Sequence, residues 1–178
     1  MDDDFEIDDI LNNQLKKKKK NSGRKGKRGE RSLIEELTER FPNKPFSRTI
    51  GSGNRWSQAR LTEAAKKVFT GDIVTPDNFL FALECKHGYN KINIERAIKK
   101  GNKKLDSFLE QVEKDGERVN KNPMMCWKKD YKPWIVFIKT SLIPESIENI
   151  QYKNWGIVSL ERLLELPDSF FFKGENDG

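Results

Sequence analysis

The segment Phe79-Leu-Phe-Ala-Leu-Glu-Cys-Lys86 constrains the fold more than any other, because its alternation suits a strand with two unlike faces. Leu80, Ala82, Glu84 and Lys86 share one face, and Phe79, Phe81, Leu83 and Cys85 share the other. Glu84 and Lys86 therefore project side by side, while Cys85 points into packing. Upstream, Gly71-Asp72-Ile-Val-Thr75 and the turn Pro76-Asp77-Asn78 predict a partner strand joined to it as a hairpin. Register decides where Asp72 goes. A three-residue loop sets it opposite Ala82 and diagonal to Glu84, and a two-residue loop turns it away.

The rest of the chain supplies layers around these strands. From Gly29, the recurrence of Glu30, Ile34, Leu37 and Phe41, with Leu33 beside them, predicts a helix ending at Pro42. Glu30 opens its buried face, a costly place for a carboxylate without a partner such as a cation. Pro45 to Ile50 reads as a short strand running into the loop Gly51-Ser52-Gly53, and residues 54–70 as an amphipathic helical insertion. Helices are expected over 92–100 and 102–118. A second hairpin follows from Pro123–Trp127 and Pro133–Ile138, then a small helix over 157–166 and a tail over 167–178. The order α, β, β, β, α, β, β predicts an α/β domain over 29–166, with a central mixed sheet flanked by helices.

Composition removes several classes. At 178 residues the chain suits one domain with tails. No run of about 18 apolar residues occurs and residues 1–20 lack an apolar signal core, so an intracellular, cytoplasmic protein without membrane contact is expected. Cys85, Cys126 and the single His87 make neither a disulfide framework nor a zinc set, and both cysteines read as reduced core residues. Net charge is +6, unevenly spread: residues 1–15 carry six acids and no base, residues 16–31 ten bases and one acid, and residues 32–178 stand at +3. The glycine- and serine-bearing basic block predicts a disordered arm over 1–28, acidic and then basic, with Arg24, Lys25, Lys27, Arg28 and Arg31 tracking nucleic-acid phosphates. A solubility tail or a localisation signal is the other reading of that block.

Two carboxylates from neighbouring strands can hold a hard divalent cation, with a backbone carbonyl, here that of Cys85, and waters completing an octahedron. Such a cation polarises a phosphoryl oxygen, and Lys86 stands where it can orient water or stabilise developing charge. A solvated surface pair is the alternative for Glu84 and Lys86. The glycine before Asp72, the inward Glu30 and the basic block upstream weigh against it.

Together, Arg24-Lys-Gly-Lys-Arg-Gly-Glu30-Arg31 before the helix, Arg48-Thr-Ile-Gly-Ser52-Gly53, Gly71-Asp72-Ile73 and Glu84-Cys85-Lys86 resemble the PD-(D/E)xK nuclease superfamily. Within it they most resemble archaeal-type Holliday junction resolvases and their phage and bacterial relatives. The likeness spans roughly residues 23–140, including Phe108-Leu-Glu-Gln111 and the strands at 123–128 and 133–137. It implies a restriction-endonuclease-like core and a homodimeric, Mg²⁺-dependent endonuclease, with Mn²⁺ as substitute, that cuts four-way DNA junctions, in a phage-encoded setting or another. By resemblance, Glu30, Asp72 and Glu84 bind metal, Lys86 serves the attacking water, Ser52 lies near the scissile phosphate and Gln111 supports the site. The length of 54–70 and the acidic N-terminus depart from the pattern.

Other residues divide between two roles. Arg48 and Arg55 flank the serine loop and are candidates for phosphate contact or ordinary surface arginines. His87 follows the lysine, but a metal-water mechanism does not need it as a base. Trp56, Trp127 and Trp134 suit core or dimer packing better than base stacking. The runner-up functions are a nuclease of this fold acting on duplex, nicked or flap DNA, and a non-catalytic nucleic-acid-binding module.

Overall fold

A computed structural model describes residues 22–49 and 71–174. The expectations for residues 1–21, for 50–70 with Ser52, Arg55 and Trp56, and for 175–178 lie outside the described residues.

Helix α1 (Ser22–Arg40) begins at Ser22, not Gly29, so residues 22–28 belong to the body and not to an arm. Gly23 and Gly26 argue locally against helix, but tertiary contacts decide. Lys25 forms an ion pair with Asp130, and the His87 Nδ1–H donates to the Lys25 carbonyl at 3.0 Å. Gly29 permits the close approach this needs, since a Cβ there would lie 2.5 Å from that of His87. Downstream, Leu33, Leu37 and Phe41 are buried as the periodicity predicts.

Strands β1 (Ser47–Arg48) and β2 (Ile73–Val74) pair antiparallel with each other. β2 is not the first arm of a tight hairpin with β3 (Phe81–His87). The Asp72 amide donates to the Leu83 carbonyl at 3.3 Å and the Phe79 amide closes a turn on the Pro76 carbonyl at 3.0 Å, but the loop's other bonds lead away from β2. The Leu80 amide goes to the Phe171 carbonyl at 2.8 Å, and Lys121 Nζ reaches the Pro76 carbonyl at 3.2 Å. β3 instead forms the edge of a five-stranded sheet in the order β3-β4-β5-β7-β6. It runs parallel to β4 (Asn122–Lys128), to which α2 (Ile94–Lys100) and α3 (Lys103–Val119) connect it. A parallel pair requires such a crossover. The side chains of Asn93 and Asn102 cap these helices by accepting backbone N–H bonds at their first turns.

β4 and β5 (Trp134–Lys139) form the second hairpin as expected. A further hairpin, β6 (Ile150–Tyr152) and β7 (Trp155–Ser159), replaces the first part of the predicted 157–166 helix. Pairing with β5 draws Trp155 to Ser159 into the sheet, and helix α4 (Leu160–Leu164) starts only after Ser159 caps it. The C-terminal segment is no loose tail. Helix α5 (Asp168–Phe171) brings Phe171 and Phe172 into the core, with ring centres 5.1 Å from Phe41 and 5.2 Å from Phe79 respectively. Arg40 locks it through Asp168 at 2.6 Å and the Leu164 carbonyl at 2.8 Å.

The result is the expected α/β architecture, a mixed sheet with helices on both faces. Phe81, Leu83, Cys85, Cys126 and Val136 pack with α1 and the C-terminal phenylalanines on one side. Met125, Trp127 and Phe137 pack with α3 on the other. Trp127 and Trp134 are core residues, and both cysteines are buried free thiols facing one another across β3 and β4. Among the described residues no helix is long and apolar enough to cross a membrane.

Candidate active site

Period-two alternation along β3 sends Phe81, Leu83 and Cys85 to the α1 face and leaves Glu84 on the α3 face, 3% exposed. Asp72 arrives at the open edge of the same strand. Its position depends on Gly71, which has φ +84° and whose Cβ, if present, would lie 2.5 Å from the Leu83 carbonyl oxygen. The Cys85 amide donates to Asp72 Oδ2 at 3.1 Å. Lys86, two residues along β3, forms an ion pair with Glu84 Oε1, and its Nζ lies 4.8 Å from the centre of the Phe108 ring. From α3, Gln111 Nε2 donates to Glu84 Oε1 at 3.4 Å. The structure thus gathers Asp72, Glu84, Lys86 and Gln111 from three elements.

Charge in this cluster is undercompensated. Burial, then repulsion from Asp72, pushes the Glu84 carboxyl up to about 8, although the Lys86 ammonium opposes the shift. Burial also raises Asp72 above the usual carboxylate range, against the pull of Lys86 and the Cys85 amide. The neighbouring Glu84 carboxyl, as a hydrogen-bond donor, also pulls Asp72 down. Burial would lower Lys86, but Glu84 and then Asp72 outweigh it and hold the ammonium charged above its ordinary range. One lysine therefore faces two buried carboxyls, and burial favours the protonated form of Glu84 near neutral pH.

Asp115 adds to this imbalance and was not singled out from the sequence. It sits one helical turn beyond Gln111, repels Glu84, and is itself raised by burial against the pull of Arg118 and Lys86. The i, i+4 spacing from Gln111 was the signal available.

The other candidates separate. Glu30 is buried, as its place in the helix predicts, but it belongs to α1, on the opposite face of the sheet from Glu84. Arg48 Nε donates to Glu30 Oε2 at 2.5 Å, so a guanidinium from β1 is a cationic partner for it. Asp72, standing at the edge between the faces, still feels its repulsion. Among the described residues no three His, Cys, Asp or Glu side chains converge as one ligand set. Arg24, Lys27, Arg28 and Arg31 lie exposed along one stripe of α1, with no carboxylate within ion-pair distance among the described residues. Lys25 is turned to Asp130, and His87 is spent on the α1 backbone.

Asp72 and Glu84 suit a hard divalent cation by donor type and by charge. Both offer carboxylate oxygens, and once both are ionised the pair holds more negative charge than Lys86 neutralises. A strand residue's N–H and C=O leave on the same side, so the Cys85 carbonyl faces the open edge where its amide meets Asp72.

Comparison with curated proteins and with solved structures gives no match. A family model, that of the phage putative PDDEXK endonucleases, matches residues 21–162, from the start of α1 into α4 and across Asp72, Glu84, Lys86 and Gln111; the chain belongs to that family.

Proposed function

We propose that the chain is a metal-dependent, structure-selective DNA endonuclease of the Holliday junction resolvase type. The observation that carries this reading is the buried Asp72–Glu84 pair, short of positive charge and joined by Lys86. Asp72, Glu84 and the Cys85 carbonyl would hold Mg²⁺ or Mn²⁺. Such an ion, when bound, supplies Lewis-acid polarisation of a phosphoryl oxygen and lowers the pKa of water at the site.

The chain's own residues account for the remaining chemistry. Lys86 stays charged, so it offers hydrogen bonds to the attacking water and to the phosphoryl oxygens as negative charge grows on them. Gln111 fixes the Glu84 carboxylate against rotation. Arg24, Lys27, Arg28 and Arg31 take backbone phosphates, which positions DNA without reading its bases. Glu30 and Arg48 act as a pair that braces α1 against β1. Ser52, by its likeness to the family, and Arg55, by its place beside the serine loop, complete the phosphate contacts in this reading. Paired incisions on opposing strands call for two sites, hence a homodimer.

The test compares cleavage of labelled four-way junction, flap and linear duplex by the wild type and by Glu84→Ala, with Mg²⁺ or EDTA. Mg²⁺-dependent cutting of the junction ahead of duplex, lost in Glu84→Ala, is expected. Equal cutting of duplex and junction removes the resolvase type, and cleavage unchanged in Glu84→Ala or in EDTA removes the proposed site.

A further inference from the structure

The β4–β5 turn holds Tyr131 entirely in solvent, at 103% exposure, whereas the next most exposed large apolar side chain among the described residues, Ile150, stands at 57%. Its φ is +60°, in the left-handed region where glycine or asparagine is the undemanding choice and a tyrosine is strained. Everything around it is fastened. The Asp130 carboxylate accepts from Asn90 Nδ2 at 2.6 Å and pairs with Lys25, while the Asp130 amide donates to Asn90 Oδ1 at 3.0 Å. Lys129 donates to the Ile92 carbonyl and lies over Trp127, Lys128 lies over Trp134, and the Lys132 amide closes on the Lys129 carbonyl at 3.3 Å. A strained aromatic on a rigid turn points to a use for its ring.

The turn's surroundings indicate what the ring meets. Lys25 ties it to the first turns of α1, where Arg24, Lys27 and Arg28 begin the basic stripe. The β3–β4 register sets His87 beside Lys128 and Glu84 beside Met125, so the turn leaves the sheet at the end of β3 that lies beyond Glu84. Three strand residues, roughly 10 Å, separate Glu84 from that end. An exposed aromatic ring on a turn tied to the helix that carries a row of cations has the chemistry of a nucleic-acid stacking platform.

We propose that Tyr131 stacks on the uncovered face of a nucleobase at a break in the base stack of DNA whose backbone lies along the α1 stripe. Resting on the nuclease reading, this deepens it by naming the substrate feature recognised. In a continuous duplex both faces of each base are covered by neighbours, so the ring engages only where base stacking is interrupted, at a junction, flap or gap. The fastened turn limits the entropy lost when the ring is held in place.

The test uses the full chain in EDTA, with fluorescence anisotropy on a linear duplex, the same duplex carrying a short gap, and a four-way junction. Tyr131→Ala lowers affinity for the gapped and branched DNAs about 5- to 150-fold, leaves duplex affinity unchanged, and is rescued by Tyr131→Phe. Tyr131→Ala chains that bind all three DNAs like the wild type overturn the stacking role alone. So does an equal loss on duplex, a Tyr131→Phe chain as weak as Tyr131→Ala, or a change confined to oligomeric state, which assigns the ring to a second copy of the chain. A wild type that binds no DNA removes the nuclease reading together with this one.

Discussion

The exposed stripe of α1 and the buried face of β3 carry opposite charge in opposite surroundings. On α1, Arg24, Lys27, Arg28 and Arg31 are hydrated and have no ionic partner among the described residues. Their attraction for an anion is long-ranged, additive and weakened by salt. On β3, Glu84 is 3% exposed, and its protonation is set first by burial and then by Asp72. Screening by salt hardly reaches such a group. Surface charge can gather a polyanion but cannot hold a proton near neutrality on a carboxyl, whereas two buried acids with one lysine can. Binding and chemistry are thus assigned to different charges, and substitutions should separate them.

The largest separation is expected at Lys86. Lys86→Gln leaves Glu84 buried without its ammonium partner and lowers the single-turnover cleavage rate by about 10²–10³-fold, with DNA affinity unchanged. A rate within about threefold of the wild type would place Lys86 outside the chemistry.

Replacing Arg24, Lys27, Arg28 and Arg31 together by Gln should do the reverse. Affinity falls across all DNAs, and the slope of log K against log salt shrinks by about 0.9 for each phosphate no longer neutralised, while the rate of the bound complex holds. A salt slope equal to that of the wild type would show that the stripe meets no phosphates.

A third contrast lies in pH. The folded state holds a proton on Glu84 up to about 8, well above the ordinary glutamate value of 4.5, so the folded chain binds more protons than the unfolded chain between those values. Stability from this group is therefore present below about pH 4.5 and lost as pH rises towards 8. In EDTA the wild-type Tm should fall across that window more steeply than the Tm of Glu84→Gln, and Mn²⁺ should raise the wild-type Tm more at the upper end of the window than at the lower. Parallel melting curves for the two chains would contradict the burial argument. The smallest effect belongs to Gln111, whose bond to Glu84 is long at 3.4 Å. Gln111→Ala should slow cleavage by about fivefold, read in the same single-turnover assay.

Local pattern was enough to place some elements and residues. Alternation along 79–86 was sufficient to put Glu84 and Lys86 on one face, and the spacing of Leu33, Leu37 and Phe41 to define the buried side of α1. Long-range contacts set what was missed. The N-terminal turns of α1 are glycine-bearing and basic and read as an arm, until Asp130 and His87, 105 and 62 residues further along the chain, anchor Lys25. The β2–β3 loop reads as a tight turn, yet its Leu80 amide belongs to Phe171. Residues 157–159 read as the start of a helix carried by Leu160, Leu163 and Leu164, and become part of a strand because β5 offers an edge. Glu30 lies inside, as the helical spacing predicts, but its partner Arg48 comes from a strand of two residues, too short for any pattern to orient.

The central claim is that Asp72 and Glu84 form a cation site that is short of positive charge when empty. Calorimetric titration of Mn²⁺ into the wild type and into Asp72→Asn/Glu84→Gln near neutral pH, repeated in buffers of different ionisation enthalpy, tests it most directly. The account predicts one site per chain that releases protons as it fills and is absent from the double variant. Binding of equal strength in both proteins, or binding without proton release, would contradict it.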